Sequence, residues 1–243
     1  MRTLLNTLLR PTSRMLARPL LVRRDEADAF AAQAGLLQAA PVRTVFDVGA
    51  HVGKTAAAYR KCFGEATVHC FEPTEATFKE LRENTRADAR IIAHQMAVSD
   101  HPGAVEFHCN QHVSSNSLLK TGRDANRFWG GTLLQTERVT TVEATTLDAF
   151  CATGRVDGID VLKMDIQGAE LRALKGGSEL IAARKIRLIY MEVIFVPSYE
   201  GQAQLHEVLA WLMERGYALH NFYNLTSRKG RLLFCDAIFI PAA

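Results

Sequence analysis

What this chain lacks narrows what it can do. No stretch reaches the eighteen or more uninterrupted apolar residues of a membrane-spanning helix. The 29 lysines and arginines nearly balance the 26 aspartates and glutamates, and a net charge of +3 is too small to imply a nucleic-acid partner. The five cysteines, Cys62, Cys70, Cys109, Cys151 and Cys235, form no C-x-x-C pair and are odd in number. They read as reduced thiols of a cytoplasmic protein rather than a disulfide framework or a metal set. No internal repeat or low-complexity tract is present. Two phosphate-binding signatures are also missing. There is no G-x-G-x-x-G, and although Gly53-Lys54-Thr55 looks like the tail of a Walker loop, no glycine stands five residues before Gly53.

What is present suits one α/β domain. The 243 residues are 48% hydrophobic, enough for a sizeable core. The first 24 residues hold Arg2, Arg10, Arg14, Arg18, Arg23 and Arg24, and no acid precedes Asp25. Residues 1–40 are read as a basic arm and 41–243 as the main domain. The arm reads in two ways: an interfacial segment touching anionic lipid or an acidic partner, or a segment packing on the domain or on a second subunit. Pro11 and Pro19 interrupt any long helix in it, and no apolar core with a small-residue cleavage site marks it as a targeting peptide. A cytoplasmic protein is expected, with a peripheral membrane contact or a homodimer as what the arm would provide.

From residue 42 onward strand-like and helix-like segments alternate. Strands are expected at 43–49, 66–72, 89–99, 104–110, 138–146, 159–166 and 186–195, with helices at 54–63, 74–86, 168–184 and 202–215 between them. The segments 217–223 and 231–241 finish as an antiparallel pair joined by "NLTSRKG". Strand–helix alternation closed by a hairpin predicts a mostly parallel sheet with helices on both faces. In such sheets ligands bind beyond the carboxyl ends of the strands, at the switch point of strand order.

The strand ends therefore carry the functional reading. The first ends in "DVGAHVG", where Gly49 permits a tight turn and Gly53 the close approach of a ligand or helix. The second ends in Glu72, twenty-five residues after Asp47, where a carboxylate can accept both hydroxyls of a ribose. An acid two residues before the first glycine would repel a pyrophosphate. It suits a cationic ligand such as S-adenosylmethionine, which carries an ammonium and a sulfonium and no phosphate. The fourth strand ends in "KMDIQGAE", and Lys163 and Asp165 stand out because buried strands rarely carry charge.

The pieces "VFDVGAHVGKTA", "CFEPTEATFKELREN", "MAVSD", "SSNSLL", "TTLDAF", "LKMDIQGAELRALKGG" and "IYMEV", in that order between residues 44 and 195, resemble the FkbM family of S-adenosylmethionine-dependent methyltransferases. The resemblance implies a class I methyltransferase fold of seven strands with the last antiparallel. It also implies O-methylation of a hydroxyl on a sugar, glycolipid or polyketide-like product. Gln167 departs from the family, which usually has an acid there.

On these grounds Asp47, Gly49, Ala50, His51 and Gly53 are expected around the methionine and ribose, with Glu72 and Pro73 at the ribose. Met96, Ala97, Val98 and Ser99 are expected by the adenine, and Ser115, Asn116, Ser117 and Asp165 close to the cofactor. Asp165 leads the candidates for general base, ahead of Glu192 and His112. Asp165, Gln167 and Glu192 form an oxygen-rich group to which a divalent metal is conceivable but is not assigned. The loop 110–136, long for a connection and rich in Ser and Asn around Phe128-Trp129, is expected to cover the acceptor, with "VPSYEG" (196–201) as another wall. A nicotinamide-dependent oxidoreductase and a non-catalytic binding module on the same sheet are the competing readings.

Overall fold

The computed structural model describes residues 28–242, so most of the basic arm lies outside the described residues. The strands are β1 Thr44–Val48, β2 Thr67–Phe71, β3 Ile91–His94, β4 Ala97–Val98, β5 Gly103–Asn110, β6 Thr136–Thr145, β7 Val161–Met164, β8 Ile189–Ile194, β9 Tyr217–Arg228 and β10 Arg231–Pro241. The helices are α1 Ala29–Leu37, α2 Lys54–Cys62, α3 Glu75–Thr85, α4 Ala125–Trp129, α5 Leu147–Gly154, α6 Glu170–Lys175, α7 Ser178–Ala182 and α8 Leu205–Met213.

Seven strands form the main sheet in the order β3-β2-β1-β7-β8-β10-β9. All neighbours are parallel except β10, which runs antiparallel to both β8 and β9. The expected class I methyltransferase fold is present. The order reverses between β1 and β7, which opens a crevice where both strands end.

Alternation along each strand sends neighbouring residues to opposite faces. Val45, Val68, Val161 and Leu188 pack under α1, α2 and α3 through Ala29, Leu37, Tyr59 and Leu81. Phe46, Leu162, Met164 and Ile189 pack under the helices of the other face through Leu147, Leu174, Ile181 and Leu212. Every residue of β7 and β8 is buried, as expected for central parallel strands covered on both sides. At the opposite end from the crevice, Asp160 Oδ2 accepts from the backbone of Arg43 and Thr44, and Arg187 donates to Asp160 Oδ1 at 2.7 Å.

Four elements differ from the sequence reading. The expected strand 89–99 breaks after His94, whose carbonyl accepts from both Glu72 and Met96. Its last residues, β4, join a second sheet in the order β4-β6-β5. The hairpin connection is two residues, not seven, because β9 runs on to Arg228. Lys229 and Gly230 take φ of 50° and 74°, the left-handed pair a tight hairpin turn needs. The loop 110–136 contains helix α4 and a 3-10 turn at Val113–Ser115. Finally, α1 packs into the core from Ala29 onward, and Tyr59 Oη donates to Gln33 at 3.1 Å.

Candidate active site

The turn after β1 is held from below. Asp47 is fully buried, and Lys163 on the neighbouring strand places its ammonium 2.9 Å from Asp47 Oδ1. The same ammonium donates to the Gly49 carbonyl at 2.9 Å. Burial alone would lower the lysine's pKa, but Asp47, Asp165 and Glu192 outweigh it and hold the ammonium above its ordinary value. Gly49 and Ala50 donate their N–H groups to the Phe71 carbonyl, which folds the turn against the end of β2. Gly49 sits at φ 77°, and a Cβ there would collide with the Asp165 carbonyl. His51 also takes a left-handed φ of 48°, unusual for a residue with a side chain.

The end of β2 supplies a buried carboxylate. Glu72 Oε1 accepts from the Thr74 N–H at 3.0 Å and from its hydroxyl at 2.5 Å. Burial raises the Glu72 pKa, against the pull of Thr74 and His51. Thr74 stands at the N-cap of α3 but makes no side-chain cap; its hydroxyl is committed to Glu72.

The end of β7 supplies Asp165 and Gln167. Gln167 Nε2 donates to Asp165 Oδ1 at 2.7 Å and to Glu192 Oε2 at 2.9 Å. Its other amide atom, Oε1, lies 3.1 Å from the Tyr199 hydroxyl, and its backbone carbonyl accepts from Ser117 Oγ at 2.8 Å. The Gln167 side chain thus joins β7, β8 and the "VPSYEG" segment, and its backbone carbonyl adds the long loop. Glu192 is buried, and burial first, then Asp165, Glu170 and Asp236, push its pKa far above the carboxylate range. Behind it, burial raises Glu170 to about 7, against hydrogen bonds from the Ile166 and Gly168 N–H groups.

These ends meet in a cleft of about 630 Å³ including its mouth. Gly49, His51, Glu72, Pro73 and Asp165 line it, Phe71, Met96, Ala97 and Val98 form an apolar wall, and the loop residues Val113, Ser114, Asn116 and Leu118 close the far side. That mixture suits a ligand held by a few polar groups against an apolar wall.

The FkbM methyltransferase domain model matches residues 47–219, which begin at the buried Asp47 and run through every strand end of the cleft. The chain belongs to the FkbM methyltransferase family. Among its relatives, the 2-O-methyltransferase NoeI of Sinorhizobium fredii is 28% identical over 177 residues, 70% of each chain. The hexuronic acid methyltransferase AglP of Haloferax volcanii is 27% identical over 150 residues, 61% of this chain and 55% of its own length. Among solved structures, an rRNA methylase from Streptococcus thermophilus matches with TM-score 0.49 and 8% identity over 92% of this chain and 99% of that one.

An FkbM enzyme uses S-adenosyl-L-methionine, and this cleft fits that cofactor. The Glu72 carboxylate is committed to Thr74 through only one oxygen, and the cleft lining carries carboxylates and apolar groups but no lysine or arginine. That suits a cation with a neutral nucleoside and would repel a pyrophosphate. The family assignment replaces the oxidoreductase and silent-fold readings with a methyltransferase.

Of the residues expected from sequence, the cleft brings together Gly49, His51, Glu72, Pro73, Ala97, Val98 and Asp165. Asp47 lies beneath the turn in its pair with Lys163. Ala50 is buried in the core, and Gly53 abuts α3, where a Cβ would meet Leu81 and Thr85. Ser99 is buried and donates to Asp100; its carbonyl backs Gly176. Ser117 reaches the site only through Gln167. His112 is exposed, 2.6 Å from Ser114 Oγ at the rim, and Glu192 is behind Gln167. The expectation did not include Phe71, Phe107, Val113, Leu118 or Ile166, which are apolar and carry no chemical signature in sequence. No residue of the expected wall "VPSYEG" (196–201) lines the cleft; Tyr199 of that segment reaches it through Gln167. Among the described residues no group of three His, Cys, Asp or Glu side chains is arranged to hold a metal ion. No helix among them is long and apolar enough to cross a membrane.

Proposed function

We propose that this enzyme methylates a hydroxyl of a sugar-containing acceptor, with Asp165 as the general base. The observation that carries the reading is that Asp165 and Glu72 face one cleft whose far wall is the Ser/Asn-rich loop. The activities of NoeI and AglP, a 2-O-methyltransferase and a hexuronic acid methyltransferase, support a sugar hydroxyl as the target.

When bound, S-adenosylmethionine supplies an electrophilic methyl group. The rest is done by the chain. Glu72 would accept from the ribose hydroxyls, and Phe71, Met96, Ala97 and Val98 would flank the base. The Gly49–His51 turn, anchored by Lys163, bounds the amino-acid end. Asp165 is exposed to the cleft and receives the hydroxyl proton, with its Oδ1 oriented by Gln167. Holding the acceptor in line is worth several kcal/mol of the barrier, and a positioned base adds about 10²- to 10⁴-fold. Ser114 and Asn116 present hydroxyl and amide groups of the kind that bind sugars.

The test begins with thermal unfolding of the full chain. S-adenosylhomocysteine at about 100 times its dissociation constant should add roughly 2.7 kcal/mol, and NAD should add nothing. Labelled methyl transfer is then measured across neutral and acidic glycosides and amine acceptors. Label appearing only on amines would overturn the hydroxyl assignment, and stabilisation by NAD alone would overturn the cofactor site.

A further inference from the structure

A second cleft, open and of about 810 Å³, lies between α4 and the tip of the β9–β10 hairpin. Its lining carries Arg127, Arg228, Lys229 and Arg231 with Phe128 and Gly130, and no carboxylate. Among the described residues none of these four cations forms an ion pair. Four like charges gathered without a counter-charge destabilise one another unless something anionic answers them. The chain is otherwise nearly neutral, at +3 over 243 residues, so this concentration of positive charge is local.

The cleft is built. Arg228 donates to the Phe128 carbonyl at 3.1 Å, and its guanidinium lies where a Cβ on Gly130 would have to sit. The Arg231 guanidinium stands 4.7 Å from the Phe128 ring centre. Both guanidinium groups are therefore placed in advance, and a guanidinium fork matches a carboxylate or a phosphate in two-point fashion.

The cleft is also tied to the acceptor side of the active site. Trp129, the last residue of α4, stacks on Phe234 and donates to Ser198 Oγ at 2.7 Å. The next residue, Tyr199, contacts Gln167, which holds Asp165 and Glu192. A short chain of contacts thus runs from the basic cleft to the residue that orients Asp165.

The geometry points to a subsite for an oxyanion, a carboxylate or a phosphate, carried by the sugar acceptor itself. This rests on the sugar-hydroxyl reading above and adds that the acceptor is anionic. Guanidinium groups placed in advance between a helix and a hairpin tip favour a discrete anionic group over a flat membrane surface.

The test uses the full chain saturated with S-adenosylhomocysteine. Binding of glucuronate and of glucose 1-phosphate is compared with that of neutral methyl glucoside. At least one anion should bind at least ten-fold more tightly than the neutral sugar and weaken as salt rises. The tighter of the two identifies the source as carboxylate or phosphate. Arg228→Gln with Arg231→Gln should abolish the preference and leave S-adenosylhomocysteine binding unchanged. Arg127→Gln with Lys229→Asn should weaken it several-fold. The side chains in that second pair make no contact that holds the hairpin, and asparagine tolerates the left-handed turn position. Equal binding of charged and neutral sugars overturns the proposal, as does a preference that survives both pairs. Binding confined to phosphatidylserine vesicles overturns it in favour of a membrane contact. Failure to bind S-adenosylhomocysteine at all would instead remove the methyltransferase site on which it rests.

Discussion

Lys163 Nζ lies 2.9 Å from Asp47 Oδ1, and the two side chains are 7% and 0% exposed. The pair joins β1 to β7 directly beneath the turn that borders the cofactor cleft. Among the described residues Asp47 Oδ2 has no hydrogen-bond partner, and Lys163 is the one cation paired with this carboxylate. Lys163→Met should therefore cost about 3–5 kcal/mol, the usual result of leaving a buried charge alone. Adding Asp47→Leu should restore much of that stability without restoring cofactor binding, because the turn loses its anchor at Gly49. Urea unfolding of the single and double variants decides it. A single variant within 1 kcal/mol of the parent would mean that water reaches the Asp47 carboxylate.

That pair also marks what could be read beforehand and what could not. Lys163 stood out in sequence because charge inside a buried strand needs a partner, but the partner is Asp47, 116 residues away, not Asp165 two residues on. Parallel neighbours are set by the sheet order, which local pattern does not contain. The strands themselves were legible because β7 and β8 are short apolar runs broken by a single charge each, Lys163 and Glu192. The short helix α4, "ANRFW", was not, since five residues carry no helical period. Glu72 was legible as a carboxylate at a strand end. The role of Gln167 was not, because three of its four partners, Glu192, Tyr199 and Ser117, lie 25 to 50 residues away.

Glu72→Ala should weaken S-adenosylhomocysteine binding by about 10- to 100-fold, the loss expected when a charged acceptor of ligand hydroxyls is removed. Glu72→Gln keeps an oxygen for Thr74 and should fall between the two. Calorimetric titration reads both. An unchanged affinity in Glu72→Ala would move the ribose elsewhere in the cleft.

Asp165→Asn preserves size and the contact with Gln167 while removing the basic oxygen. It should lower kcat by about 10²- to 10⁴-fold with cofactor affinity kept within a few-fold. Glu192→Gln should have a smaller effect, because Glu192 touches the site only through Gln167. Parental turnover in Asp165→Asn would pass the base role to His112, at the rim.

Glu170 gives a pH signature that is separate from catalysis. Its pKa is raised by burial from 4.5 to about 7. Between those values the folded state keeps a proton that the unfolded chain has released. Stability therefore falls as pH rises through this window, and the penalty is complete above about 7. It amounts to about 3 kcal/mol at 1.4 kcal/mol per pH unit. Glu170→Gln keeps the oxygen that accepts from Ile166 and Gly168 and removes the ionisation. The variant should match or trail the parent near pH 4.5 and gain on it steadily up to neutrality. Chemical denaturation of both proteins from pH 4.5 to 8 measures that difference. A gap that does not change with pH would show that Glu170 ionises at its ordinary pKa, with water reaching the carboxylate behind Gln167.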